Sequence, residues 1–93
     1  MDSRPPVWDD WNRRHIEQDH LERAIRVDEV EQAMNDPDRV ETTEEREGET
    51  HHALLGQTGS GRLLLVVWID HPFGRYPVHA HRAGRRAARR YYR

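Results

Sequence analysis

Six of the chain's fifteen arginines fall within its last twelve residues: Arg82, Arg85, Arg86, Arg89, Arg90 and Arg93, with no acid among them. Just ahead stand His79 and His81, spaced so that a β-strand would put both imidazoles on one face. Arginine forks neutralise and orient phosphate oxygens, and imidazole moves protons near neutral pH. These types suit the holding of a phosphodiester and its cleavage without a metal. That reaction needs a group to deprotonate or orient a 2′-hydroxyl, cations around the pentavalent phosphorus, and an acid for the leaving 5′-oxygen. Arg82, His79, His81 and Tyr92 are the candidate catalytic residues. Arg62, Arg75, Arg85, Arg86, Arg89 and Arg90 are candidate RNA contacts. Along a helix, Arg85, Arg86, Arg89, Arg90 and Arg93 would form one basic face, with Ala88, Tyr91 and Tyr92 turned the other way.

Other readings fit the same residues. The tail arginines could be a solvated face, or could pair with the acidic half of the chain. Tyr92 could anchor the core, stack on a base or donate a proton. His79 and His81 could be bare imidazoles on an edge strand, or two metal ligands awaiting a third from His51, His52 or His71, with Asp70 near in sequence. The loop Gly56–Gly61 lacks the Gly-Lys-Ser/Thr ending of a phosphate-binding loop.

Three kinds of element must position these groups. Asp9 or Asp10 can cap a helix beginning near Trp11, on which Trp11, His15 and Ile16 share a face. A second helix follows with Val27, Val30, Ala33 and Met34 inward, stopped at Asn35-Asp36-Pro37. The period then becomes two. An acid-rich edge strand over 39–46, a turn at Glu47-Gly48-Glu49 and a strand over 50–56 lead to a glycine-rich connection. Residues 62–70 are apolar on both faces, which predicts a central strand covered on both sides. His71-Pro72-Phe73-Gly74 turns the chain into a strand over 75–82, and 84–93 is helical. The expected fold is α+β: two N-terminal helices, a four-stranded, mainly antiparallel meander and a short basic C-terminal helix. Residues 1–93 make a single domain, with 1–6 as an extended arm and Val7-Trp8 docking or adding a short edge strand.

Composition sets the limits. Ninety-three residues leave no room for a second core, and only 34% are apolar. Trp8, Trp11 and Trp68 are therefore expected in the core. No run of apolar residues is long enough for a transmembrane helix, and Met1–Pro6 lacks the apolar stretch of a signal peptide. A soluble cytoplasmic protein with no membrane association is expected. The absence of cysteine excludes disulfides and thiolate metal sites. The net charge of −2 hides a polarity: residues 1–49 balance to −9 and residues 50–93 to +7. That asymmetry points to an anionic partner for the second half, or to neutralisation of one half by the other.

Several stretches resemble small BrnT-like toxins of type II toxin–antitoxin systems. They are Trp8-Asp9-Asp10-Trp11-Asn12 with His15-Ile16, Val27-Asp28-Glu29-Val30-Glu31 with Asn35-Asp36-Pro37, Leu55-Gly56-Gln57-Thr58 with Gly61–Val67, and Arg82 followed by Arg85-Arg86 and Arg89-Arg90-Tyr91. The resemblance implies a RelE-like fold and a metal-independent endoribonuclease that needs no cofactor. It also implies a cognate DNA-binding antitoxin as partner, in a toxin–antitoxin hetero-oligomer or with the toxin as a homodimer. Arg82 is the site residue that the family match carries. The chain departs from the family outline in a longer stretch from Glu17 to Ala24, in His79-Ala80-His81 of the last strand, and in Ala88 where the closing helix carries Glu. A non-catalytic module of the same fold, binding a protein or RNA through its basic C-terminal face, is the alternative.

Overall fold

Asp9 starts helix α1 (Asp10–Glu17) through a reciprocal pair of bonds. Its carboxylate accepts the Asn12 backbone N–H at 3.1 Å, and the Asn12 side chain accepts the Asp9 N–H at 2.8 Å. Two donors that the helix itself leaves unpaired are thus satisfied. The structure, a computed structural model, describes residues 2–93. A single 3₁₀ turn (Leu21–Arg23) ends at Ala24 in the left-handed region and leads into α2 (Val27–Met34). Val30, Ala33 and Met34 of α2 are buried, as their spacing predicts. The helix stops ahead of Pro37, which cannot continue the ladder.

Strands β1 (Val40–Arg46), β2 (Glu49–Gln57), β3 (Leu63–His71) and β4 (Gly74–Arg82) form one antiparallel sheet in chain order. Glu47 and Gly48 join β1 to β2, both at positive φ (52° and 79°), the mirror-image turn that matches the twist of a hairpin. Helix α3 (Arg85–Tyr91) closes the chain. The α+β meander expected from the sequence is the observed architecture. Among the described residues no helix is long and apolar enough to cross a membrane.

The core lies between α1, α2 and one face of the sheet. Leu54, Leu64, Val66, Trp68 and Ala80 meet Ile16, Ile25, Val30, Ala33 and Met34 there. Gly56 lets α2 sit directly on β2, because a Cβ at that position would overlap the carbonyl of Ala33. The opposite face carries Ala53, Leu65, Val67 and Ile69 only half-buried, with α3 packed against β2 at one end. The strand β3 is therefore central but covered on one side, which corrects the two-sided cover its sequence predicts. Of the three tryptophans expected in the core, Trp68 is buried, Trp8 half-buried and Trp11 59% exposed.

A β-bulge controls β4. Val67 pairs with His79 and Trp68 with Pro77, so Val78 is an extra residue. Ahead of the bulge, Arg75 and Pro77 face the helices. Beyond it, Ala80 faces the helices while His79 and His81 face the open side. The free edge of β4 is taken by residues 5–7: Arg75 donates its backbone N–H to Pro5 at 2.9 Å, and Val7 donates to the Arg75 carbonyl at 2.7 Å. Of the two alternatives for Val7-Trp8, docking and an edge strand, the pairing is limited to an isolated parallel bridge at Pro6.

Candidate nucleic-acid interface

The bulge and the end of β4 place the imidazole pair. The His79 and His81 rings meet edge-on at 5.2 Å on the open face. The Arg82 carbonyl lies 2.8 Å from His81 Nδ1 and can only accept, so Nδ1 carries hydrogen and Nε2 is left for a ligand. His79 is held neutral: burial pushes its pKa down to about 4, and the positive charge of Arg23, His81, His15 and His20 adds to the effect. It therefore offers a basic nitrogen throughout the neutral range. The pH dependence of folding follows. Above pH 6.5 neither folded nor unfolded chain holds the His79 proton. Between about 6.5 and 4 only the unfolded chain takes it up, so stability falls as pH drops through that window. The carboxylates held low by Arg4, Asp2 (to about 2) and Asp70, act below it. Thermal melts of the parent are expected to drop by about 5 °C or more between pH 7 and pH 5. In His79→Gln the drop should shrink; an identical drop would mean that other groups set it.

Helix α3 packs on β2 at one end of this open face. Leu65 is the cross-strand neighbour of His81 and shares with Arg90 a depression of about 30 Å³, bounded also by Val40, Thr42, Ala53 and Leu55. A space that size holds on the order of one water, so the interface is an open surface with a cationic border rather than a cleft. Arg85, Arg86, Arg89 and Arg90 are exposed, and Ala87, Ala88 and Tyr91 are half-buried. Among the described residues, none of these four arginines, nor Arg82 or Arg93, forms an ion pair with a carboxylate. Self-neutralisation by the acidic half, the other reading of the tail, is not what the geometry shows. The Tyr91 hydroxyl donates to Asp36, which also accepts the Gln57 N–H at 2.7 Å, and so α3 is pinned to the turn after α2 and the end of β2.

The remaining candidates separate from this group. Arg82 is exposed, but its register partner is Leu64, so it leaves β4 on the helix side, opposite His81. Tyr92 is 59% exposed and its hydroxyl accepts from Gln57 Nε2 at 2.7 Å, which places it beyond α3 rather than at the imidazoles. Arg62 does not reach the face. Its guanidinium holds Glu29 at 3.0 Å and donates to the carbonyls of Ala24 (2.9 Å) and Arg23 (3.2 Å), fastening the 3₁₀ turn to α2. Arg75 corrects the expectation most sharply. It is wholly buried and donates to the carbonyls of Arg4 (2.5 Å) and Met34 (3.1 Å) and to Asn35 Oδ1 (3.0 Å). Both are structural arginines, not RNA contacts.

On the helix side the structure holds a polar chain that sequence reasoning missed. His52 stacks on Trp68 at 3.9 Å and bonds Asp70 at 3.0 Å; Asp70 pairs with Arg4 at 2.7 Å, and Arg4 with Asp2 at 2.7 Å. The guanidiniums of Arg4 and Arg75 lie 5.8 and 5.9 Å from the Trp68 ring. The pairing of His52 with Trp68 across β2 and β3 puts both on this face. No protein-family model matches the chain, and no curated protein matches it.

Proposed function

We propose that this protein acts on RNA, as a cytoplasmic ribonuclease toxin of a type II toxin–antitoxin pair similar to BrnT. RNA lies across the open sheet face with its phosphates on α3, and the His79–His81 pair cleaves it without a metal. The observation that carries this reading is that α3, with its unpaired arginines, and two imidazoles, one neutral and one with a fixed tautomer, lie on the same open face of the sheet. His79 is the base for the 2′-hydroxyl, and His81, through Nε2, serves the leaving oxygen. The half-buried apolar stripe Leu65, Val67 and Ile69 is the surface a DNA-binding antitoxin would cover.

The test is RNA cleavage by purified protein in excess EDTA, read on a gel. His81→Ala is expected to slow cleavage by about 10²–10⁴ while RNA affinity changes little. Cleavage that EDTA abolishes, or that His81→Ala leaves intact, contradicts the assignment. The displacement of Arg82 to the other face favours a second reading, a non-catalytic module that binds RNA uncut. Expression without a partner separates the two, because only the catalytic protein arrests growth.

A further inference from the structure

Rings follow one another along the flank of β4 from the β3–β4 turn toward α3. Phe73, at the tip of the turn, is 80% exposed, and its ring lies 5.7 Å from His71. His71 in turn stacks on Tyr76 at 5.7 Å, nearly parallel at 12°. The Tyr76 hydroxyl donates to both carboxylate oxygens of Asp9 at 2.9 Å, which joins this ledge to the start of α1. In the first turn of α1, Trp11 is 59% exposed and lies flat on His15, at 5.1 Å and 11°. His15 meets His20 edge-on at 5.4 Å, and both stand close enough to His79 for their charge to be felt there.

A single exposed apolar side chain needs no explanation. Here two large rings keep a surface in water, Trp11 backed by the stacked His15 ring and Phe73 in tilted contact (44°) with His71. Holding the orientation in advance lowers the entropy cost of stacking a planar ligand. Tyr76 and Arg82 are six residues apart along β4, so the ledge and the cationic border stand roughly 20 Å apart. A protein partner would find acids beside the rings, at Asp9, Asp10 and Asp19, of which Asp9 and Asp19 are already engaged by Tyr76 and His15. A nucleobase is flat and uncharged, and phosphates several nucleotides further along the same strand can reach the arginines.

We propose that Phe73 and Trp11 are base-stacking residues for single-stranded RNA whose phosphates lie along α3. This rests on the RNA reading above and adds to it a requirement for unpaired bases. A duplex hides the flat faces of its bases and leaves only its backbone for α3, so single strands are preferred.

The experiment measures fluorescence anisotropy of a labelled single-stranded oligoribonucleotide of about twelve nucleotides, long enough to span the ledge and the arginines together. Competitors are an abasic strand and a duplex of the same sequence. Phe73→Ala and Trp11→Ala are each expected to weaken single-strand binding about tenfold, and the double variant about a hundredfold. Trp11→Phe retains most of the affinity, because it keeps a ring. The abasic strand binds parent and variants alike, and the salt dependence is unchanged. Both side chains are exposed, and melting curves matching the parent confirm that folding is intact. If the parent binds RNA through α3 and both alanine variants stay within twofold of it, stacking is overturned while the RNA reading stands. If the parent binds no RNA, both fall together.

Discussion

Replacing Arg85, Arg86, Arg89 and Arg90 together by Glu is expected to cut RNA affinity about a thousandfold at low salt. Each arginine that neutralises a phosphate releases a counterion, with a slope of roughly 0.7 per contact on a log–log salt plot for single strands. Losing four such contacts should flatten that slope by about three. The change should leave the fold intact, since all four side chains are exposed and free of carboxylates. Two of the new acids would sit in the first turn of α3, where the helix dipole favours them, and two in the last turn, where it does not, so the helix itself gains or loses little. Filter binding across a salt series reads both quantities. An unchanged slope with unchanged affinity would remove α3 from the interface and leave the open face without its anchor.

Arg75→Ala is expected to act in the opposite way, destabilising the fold through a residue that never meets RNA. The substitution strips the buried Met34 carbonyl of its donor, frees the partly buried Arg4 carbonyl and Asn35 amide oxygen, and opens a cavity beside Trp68. An unpaired buried polar group costs about 1–3 kcal/mol and the cavity adds to it, so a loss of about 3 kcal/mol is expected. For a domain of this size that lowers Tm by on the order of 15 °C or more. Arg75→Lys should rescue little, because one ammonium cannot span three acceptors on the arm and the end of α2. Burial, with Arg39 nearby, already pulls the Arg75 pKa below its ordinary value, though it stays charged. Thermal and urea melts decide the matter. A variant that melts with the parent but binds RNA weakly would return Arg75 to the interface.

The fate of Arg75 shows where sequence reading stopped. Strict alternation along β4 puts Arg75, Pro77, His79 and His81 on one face, and from that pattern Arg75 belongs with the imidazoles. One extra residue, Val78, rephases the strand and turns Arg75 inward. Val78 itself suits a regular strand as well as an irregular one, and the local hint was Pro77, since a proline inside a strand sits at an edge or a bulge. The strands themselves were legible, since each carries its own period and ends in glycine or proline. Helix α2 was legible for the same kind of reason, with Val30, Ala33 and Met34 at helical spacing. Arg82 was grouped with the imidazoles on chemistry, although alternation along β4 sends it to the other face, where the structure has it. Trp11 was misread because its ring type suggested a core, whereas α1 is a short helix that buries only Asn12 and Ile16. Arg62 and the His52–Asp70–Arg4 chain depend on partners 18 to 66 residues away, which no local pattern reveals.

The strap formed by residues 4–7 has a consequence for the order of folding. The bond from Arg75 to the Arg4 carbonyl joins positions 71 apart, and the meander between them consists of near neighbours in the chain. Loop closure on that scale comes late, after the hairpins have paired. β4 is the last of the strands in chain order, so its margin stays unguarded, and the Arg75 guanidinium stays hydrated, until residues 4–7 dock. Until they do, the nascent chain holds a sticky sheet border, and the first few residues act as the seal that completes it.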